Sequence, residues 1–395
     1  MRGKVYLKKG RARPIFEGHP WVFSGAVERI EGEPRDGDVV EVCGDRGDRA
    51  GIGFLNRKSQ IVVRVLAAGK EAALEPDFPV GRIRRASRMR REALGIERAS
   101  DAWRVVFAEA DELPGLVVDK YADVLSVQFH SLGMELLQKE ILDCLEEAFQ
   151  PQAILDRSDP AMRKNEGLPM RRETLRGSLP SDTVTIRENG LRFLVDVRGG
   201  QKTGFYLDQR ENRAFTKALA AGRRVLDAFC YTGGFAIHAA AGGAREVLGI
   251  ESSERFAETA RKNADLNGFS SIRFVRGDAS SELSSLDRQG EKFDLVILDP
   301  PKLAQSAASV KKALTVYREY NRLALRLLGP EGSLATCSCS HHVTEADLED
   351  TVRRAALEAG RRISLFHRGG QAADHPVSLF CPESRYLKCL FLHAS

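Results

Sequence analysis

Short apolar runs separated by Gly, Asp and Pro fill the first 75 positions of the chain. Val5-Tyr6-Leu7, Trp21-Val22-Phe23, Val39-Val40-Glu41-Val42, Gly51-Ile52-Gly53-Phe54 and Ile61-Val62-Val63-Arg64-Val65 read as strands, and their spacing predicts a compact barrel. Residues 80–94 are arginine-rich with the composition of a helix. From 101 onward RVVFAEADELPGLVVDKYADVLSVQFHS predicts two strands around a turn at Leu113-Pro114-Gly115-Leu116. Residues 134–149 are apolar at Leu136, Leu137, Ile141, Leu142, Leu145 and Phe149, the spacing of one amphipathic helix. AILDRSD and TVTIRENGLRFLVDV follow it. From about 190 strands and helices alternate, with helices predicted over 253–266, 310–328 and 344–359 and the strands ISLFH and RYLKCLFLHA at the close. The last helix opens on Thr344 and Asp347 at the spacing of a capping box. Such alternation predicts an α/β, doubly wound and mostly parallel sheet with right-handed crossovers. The expected division is 1–76, a β-barrel; 77–100, a basic helical linker; 101–188, an α+β module; and 189–395, the α/β sheet.

The α/β part is organised around RRVLDAFCYTGGF at 223–235. Val225-Leu226 read as a buried strand ending in Asp227, followed by the turn Phe229, Tyr231, Thr232, Gly233 and Gly234 and then a helix. Glycines there allow close backbone approach to a ligand. Three further strands end in acids: REVLGIE in Glu251, IRFVRGD in Asp278 and FDLVILDPPK in Asp299. A dinucleotide site would carry G-x-G-x-x-G immediately after the first strand. Here an acid precedes the turn, and an acid-rich crevice would repel a pyrophosphate. It suits a cationic ligand without phosphate, with Glu251 placed for ribose hydroxyls and Asp278 for an adenine amino group. S-adenosylmethionine has that profile.

Charge extends the picture to a partner. The net charge is only +5, but Arg2, Lys4, Lys8, Lys9, Arg11 and Arg13 crowd one stretch and Arg82, Arg84, Arg85, Arg88, Arg90 and Arg91 another. Basic clusters interrupted by aromatics and prolines suggest a polyanion such as RNA. The polar run RSDPAMRKNEGL is a further candidate loop near nucleic acid. No apolar run approaches a membrane span, the basic start of the chain lacks a signal-peptide core, and seven irregularly placed cysteines do not form a disulfide framework, so a cytoplasmic location is expected.

Two strand ends carry candidate chemistry. In Asp299-Pro300-Pro301-Lys302 the prolines force an extended exit that holds Asp299 at the sheet edge. In SLATCSCSHH a strand ends in Cys337-Ser338-Cys339-Ser340, followed by His341 and His342. Neighbouring ends in a parallel sheet set a carboxylate opposite a cysteine beside a methyl donor. Methylation at cytosine C5 requires that pair. A thiolate adds to C6 and makes C5 nucleophilic, while a hydrogen bond at the N3/N4 edge stabilises the developing charge. The C-x-C pair lacks a second pair at zinc spacing, so no metal is expected.

These motifs together are similar to those of the RlmI-type cytosine-C5 methyltransferases of bacterial large-subunit ribosomal RNA and their archaeal relatives. The resemblance spans GHPWVFSGAV, which looks like the start of a PUA domain, then GLVVDKYADVLSVQ, GGQKTGFYLDQRENR, DAFCYTGGF, LDPPK and TCSCS. It implies a PUA domain, a central α+β domain and a class I methyltransferase domain acting on rRNA, possible as a homodimer. It places Arg210 and its neighbours near the methionine end of the cofactor. It gives Cys339 as nucleophile, with Cys337 a second candidate because Thr336-Cys337-Ser338 is the literal match to T-C-S. Related RNA cytosine methyltransferases carry a second cysteine after the proline of the Asp-x-Pro motif. Lys302 stands there instead and is itself a candidate catalytic residue, so removal of the C5 proton uses another base or water, with His341 a candidate base. Uracil C5 remains an alternative target. A purine nitrogen is disfavoured because its edge motif ends in an aromatic residue, and a non-catalytic RNA-binding protein is disfavoured by the intact acid series.

Overall fold

A computed structural model describes residues 3–395, so Arg2 of the basic N-terminal group lies outside the described residues. The chain forms two compact units: Met1–Ile186 with Val195–Phe205 and Ala373–Ser384, and Arg187–Leu194 with Tyr206–Ala372 and Arg385–Ser395.

In the first unit six strands follow the order Trp21–Phe23, Ile61–Ala68, Arg49–Leu55, Val39–Cys43, Gly3–Leu7, Val27–Gly32. Alternate residues such as Val40, Val42, Val63 and Val65 point into one core with Val5, Leu7 and Ile15. Strand Val27–Gly32 was not anticipated because VERIEG has only two apolar positions. It is an edge strand paired with Gly3–Leu7 alone. A second sheet has five strands in the order Thr174–Gly177, Ala153–Asp156, Val124–Phe129, Leu116–Tyr121, Ala102–Phe107, and the last three fill the stretch where the sequence suggested two. The helix expected over 134–149 is two, Leu132–Leu136 and Gln138–Phe149, broken at Leu137.

Barrel and second sheet share one unit because buried charge ties them. The Arg64 guanidinium reaches Glu109 at 3.0 Å and Glu166 at 2.9 Å, and Glu166 also accepts from Ser59 Oγ at 2.6 Å and Asn56 Nδ2 at 3.0 Å. Removing one partner of such a network strands the other charge.

Two expectations about basic residues are corrected here. The arginine run is an α-helix, Val80–Arg88, running into the π-helical turn Met89–Ala93, and its arginines face two ways. Arg82 is buried, donating to Glu75 at 2.9 Å and to the Glu112 carbonyl at 2.7 Å. Arg90 is sealed against Asp111 through two bonds of 2.8 Å. Neither can meet a phosphate, whereas Arg84, Arg85 and Arg88 are exposed. The run RSDPAMRKNEGL holds the helix Pro160–Asn165, capped by Asp159. Its Arg157 is buried on the carbonyls of Val197, Gly200 and Lys202, and Arg163 is buried on Glu135 at 2.9 Å. Both arginines of this segment therefore serve the unit's interior, while Lys164 and Asn165 are exposed.

The second unit is a seven-stranded sheet: β1 Arg224–Ala228, β2 Glu246–Glu251, β3 Ile272–Arg276, β4 Phe293–Leu298, β5 Leu328–Ser338, β6 Ile363–Gly370 and β7 Lys388–Ala394, in the order β3-β2-β1-β4-β5-β7-β6. Strands β1 to β5 pair in parallel, and β7 runs antiparallel to both neighbours. Both faces are covered, so the strands read as continuous apolar runs. Leu226, Leu248, Val296 and Leu334 face one core, while Val225, Val247, Leu295 and Ala335 face the other. The helices Glu254–Leu266, Val310–Leu327 and Glu345–Glu358 lie within a residue or two of expectation. Thr344 and Asp347 form a reciprocal capping box. No helix among the described residues is long and apolar enough to cross a membrane.

Candidate active site

Every candidate residue of the crevice lies in the second unit, at the carboxyl edge of β1 to β5, where the parallel register brings the strand ends together. After β1 the chain turns through Phe229 (φ 68°), Tyr231 (φ 50°) and Gly233 (φ 85°) into the helix Gly234–Ala241. Left-handed backbone at two non-glycine residues is strained, at roughly 1–3 kcal/mol each. A Cβ at Gly233 would lie 3.1 Å from Phe274 and 3.3 Å from Ala260, so glycine is required for space as well as for conformation.

Asp227 is fully buried. Its Oδ2 accepts from the Ala236 amide at 2.9 Å, and its Oδ1 has no partner. Burial raises its pKa well above the ordinary range, and the nearby charges of Asp299 and Glu251 add to that. Thr232 Oγ1 is likewise buried without a partner. The half-buried Glu251 carboxylate is oriented by the amides of Tyr231 at 3.0 Å and Ser253 at 2.8 Å. The Tyr231 ring packs edge-on to Tyr206 and Phe256, with centroids 5.3 and 4.6 Å apart. Asp278 lies two residues beyond β3 and caps the helix Ala279–Arg288, its Oδ1 accepting from Ser281 N and Oγ at 3.0 Å. Arg210 is the buried first residue of the helix Arg210–Leu219 and bonds Glu211 at 3.1 Å.

Across the crevice β4 and β5 are adjacent, with Leu298 opposite Thr336; Asp299 begins the exit of β4, while β5 runs on to Ser338 and Cys339 begins its exit. The exits are laced together: Ser340 Oγ accepts from the amides of Leu303 and Ala304 at 3.1 Å each. The Tyr317 hydroxyl lies 3.0 Å from Ser338 Oγ and 3.2 Å from Ser340 Oγ, bracketing Cys339. The two cysteines separate sharply. Cys337 is fully buried, its thiol 2.9 Å from Cys389 Sγ, and burial drives its pKa far up. Cys339, one residue past β5, is partly exposed. The hydroxyl of Tyr206 resists ionisation, first through burial and then through Asp299 and Cys339, which places these groups around it. Lys302 is exposed beyond the second proline. Lys388, a buried lysine in the largely apolar LKCLFLHA to which the sequence gave no role, donates to the Ser340 carbonyl beside Cys339 at 2.8 Å.

Lys8, Lys9 and Arg11 are exposed in the first unit, where Lys8 Nζ donates to Gly25 O at 3.0 Å. His19, Cys381 and Glu383 cluster in the same unit with ligand atoms within 4.8 Å. His19 Nδ1 accepts from the Trp21 amide, which leaves its proton on Nε2 facing Glu383. This is a hydrogen-bonded chain rather than a metal-binding imidazole, whose second nitrogen normally donates.

Residues 170–363 match the S-adenosylmethionine-dependent methyltransferase family, and residues 5–68 match the PUA-like domain. The fold is similar to that of SMU.776, described as a methyltransferase and solved in complex with SAH (TM-score 0.85, 19% identity, 99% of each chain covered). S-adenosylmethionine is the cofactor, and the residues fit it. The partnerless acceptor of Asp227 and the partnerless hydroxyl of Thr232 suit a ligand rich in donors and positive charge. The chain is 42% identical over 392 residues to ribosomal RNA large subunit methyltransferase I of Aeromonas salmonicida, covering 99% of both chains. It is 41% identical over 397 residues to the protein of the same name from Tolumonas auensis, covering 100% of both. Similarity of this degree along the whole chain makes the protein a member of the ribosomal RNA large subunit methyltransferase I family.

Proposed function

We propose that the protein methylates C5 of a cytidine in large-subunit ribosomal RNA through a covalent bond between Cys339 and C6. The observation that carries this reading is the contrast within TCSCS: Cys337 is sealed in the core, while Cys339 stands partly exposed beyond the end of β5. The adjacency of β4 and β5 supports a role for Asp299 beside it.

When bound, S-adenosylmethionine would supply an electrophilic methyl group on a sulfonium; Asp227, Glu251, Asp278, the turn Phe229–Gly234 and Arg210 would hold it. The Cys339 thiolate adds to C6, and its electron pair makes C5 the nucleophile. Asp299 accepts a hydrogen bond from the N4 amino group and orients the ring. After methylation C5 gives up its proton to water, its electron pair re-forms the C5–C6 double bond, and the C6–S bond breaks, returning its pair to Cys339. Lys302, exposed beyond Pro301, is a further candidate for the chemistry. Lys8, Lys9, Arg11, Arg84, Arg85 and Arg88 contribute phosphate contacts, which fix position but not sequence.

The test incubates the purified protein with labelled S-adenosylmethionine and protein-free large-subunit rRNA, followed by nucleoside analysis. Label in 5-methylcytidine is expected. Label in 5-methyluridine or on a purine nitrogen would overturn the cytosine assignment.

A further inference from the structure

Lys388 begins β7, where its Cα pairs with that of Ser338 at the end of β5. The residue is 5% exposed, and its ammonium donates to the carbonyls of Ser340 at 2.8 Å and Tyr386 at 2.9 Å. The same lysine therefore holds the residues on both sides of Cys339, one through the sheet register and one through its side chain. Among the described residues no carboxylate forms an ion pair with it. A buried ammonium whose hydrogen bonds go to carbonyls is favoured by a nearby anion.

We infer that Lys388 is the positioning residue of the nucleophile: its ammonium supplies the positive charge that keeps the Cys339 sulfur ionised, and its bond to Ser340 fixes the turn that presents it. This rests on reading Cys339 as the nucleophile. Burial lowers the Lys388 pKa to about 8, and Cys339 opposes that shift most, ahead of Glu345 and Asp347 at the start of the following helix. Tyr206 and Tyr317 also interact with the sulfur and with Asp299, and none of these three brings positive charge. The thiol proton leaves to solvent, and the ammonium keeps its own three. A nearby cation lowers a thiol's pKa in this way.

The test reads Cys339 directly. The full-length protein is alkylated with iodoacetamide over a range of pH, and modification of the Cys339 peptide is followed by mass spectrometry. The wild-type midpoint is expected below the ordinary thiol value of about 8.5. Lys388→Met should raise it by a unit or more, about a tenfold loss of thiolate at neutral pH, and Lys388→Arg should restore it. An unchanged midpoint in folded Lys388→Met overturns the inference. Should that variant not fold, a wild-type midpoint at or above about 8.5 overturns it instead. Alkylation needs no RNA turnover. Methyl transfer by Cys339→Ala would therefore remove the nucleophile assignment without touching this readout.

Discussion

Ser340 Oγ lies 3.1 Å from the amide nitrogen of Leu303, so one hydroxyl joins the exit of β5 to the exit of β4. It also accepts from Ala304 and meets Tyr317, so Ser340→Ala strands two amides in a buried site. The expected loss is about 1–3 kcal/mol of stability. A fall in kcat larger than any change in cofactor affinity should accompany it, read by denaturant unfolding and by isothermal titration with S-adenosylmethionine.

Cys337 and Cys339 should behave oppositely. Cys337→Ala leaves a small cavity against Cys389 and destabilises by about 1 kcal/mol, with methyl transfer retained. Cys339→Ala should bind S-adenosylmethionine normally and transfer no methyl group to rRNA. Full activity in the second variant would sink the covalent mechanism.

Asp227→Asn keeps the size of the side chain but removes the carboxylate whose Oδ1 has no protein partner. Cofactor affinity should fall at least tenfold with little change in thermal midpoint, measurable by titration calorimetry and scanning fluorimetry.

His238 gives a pH signature. It is buried, donates through Nδ1 to Gly234 O at 2.8 Å and stacks on Phe193, and burial lowers its pKa to about 4. The unfolded imidazole titrates near 6.5, so between these values the unfolded chain holds more protons. Stability is therefore full above about 6.5 and lost as pH falls toward 4. His238→Gln should flatten that decline in urea midpoints by up to about 3 kcal/mol. His130, lowered to about 4 by burial, leaves a residual slope.

Among the arginines, neutralising Arg84, Arg85 and Arg88 should weaken RNA binding and reduce its salt slope. Arg82→Ala should instead lower stability, because it abandons Glu75 and the Glu112 carbonyl. An unchanged salt slope in the triple variant would make the exposed arginines a solvated face.

The alternation of strands and helices was legible because β1 to β5 are buried on both faces and their helices on one, so each element wrote its own period into the chain. The acid at each strand end was legible for the same reason. Contacts between distant segments were not. The burial of Arg82 depends on Glu75 and Glu112, and that of Arg157 on carbonyls about 40 residues away. A basic residue looks the same in sequence whether it meets a phosphate or a buried acid. Cys337 and Cys339 also look alike until Cys389 covers one of them. The importance of Lys388 appears only when β7 is laid against β5.

That placement bears on how the sheet can be assembled. β7 follows β6 in the chain yet lies between β6 and β5, so the sheet cannot be completed by adding strands in the order of synthesis. Until β7 slots in, β5 presents a bare hydrogen-bonding edge, Cys337 lacks its cover, and the turn carrying Cys339 has no lysine to hold it. On the reading of Cys339 as the nucleophile, the emerging chain completes its site only when β7 is in place.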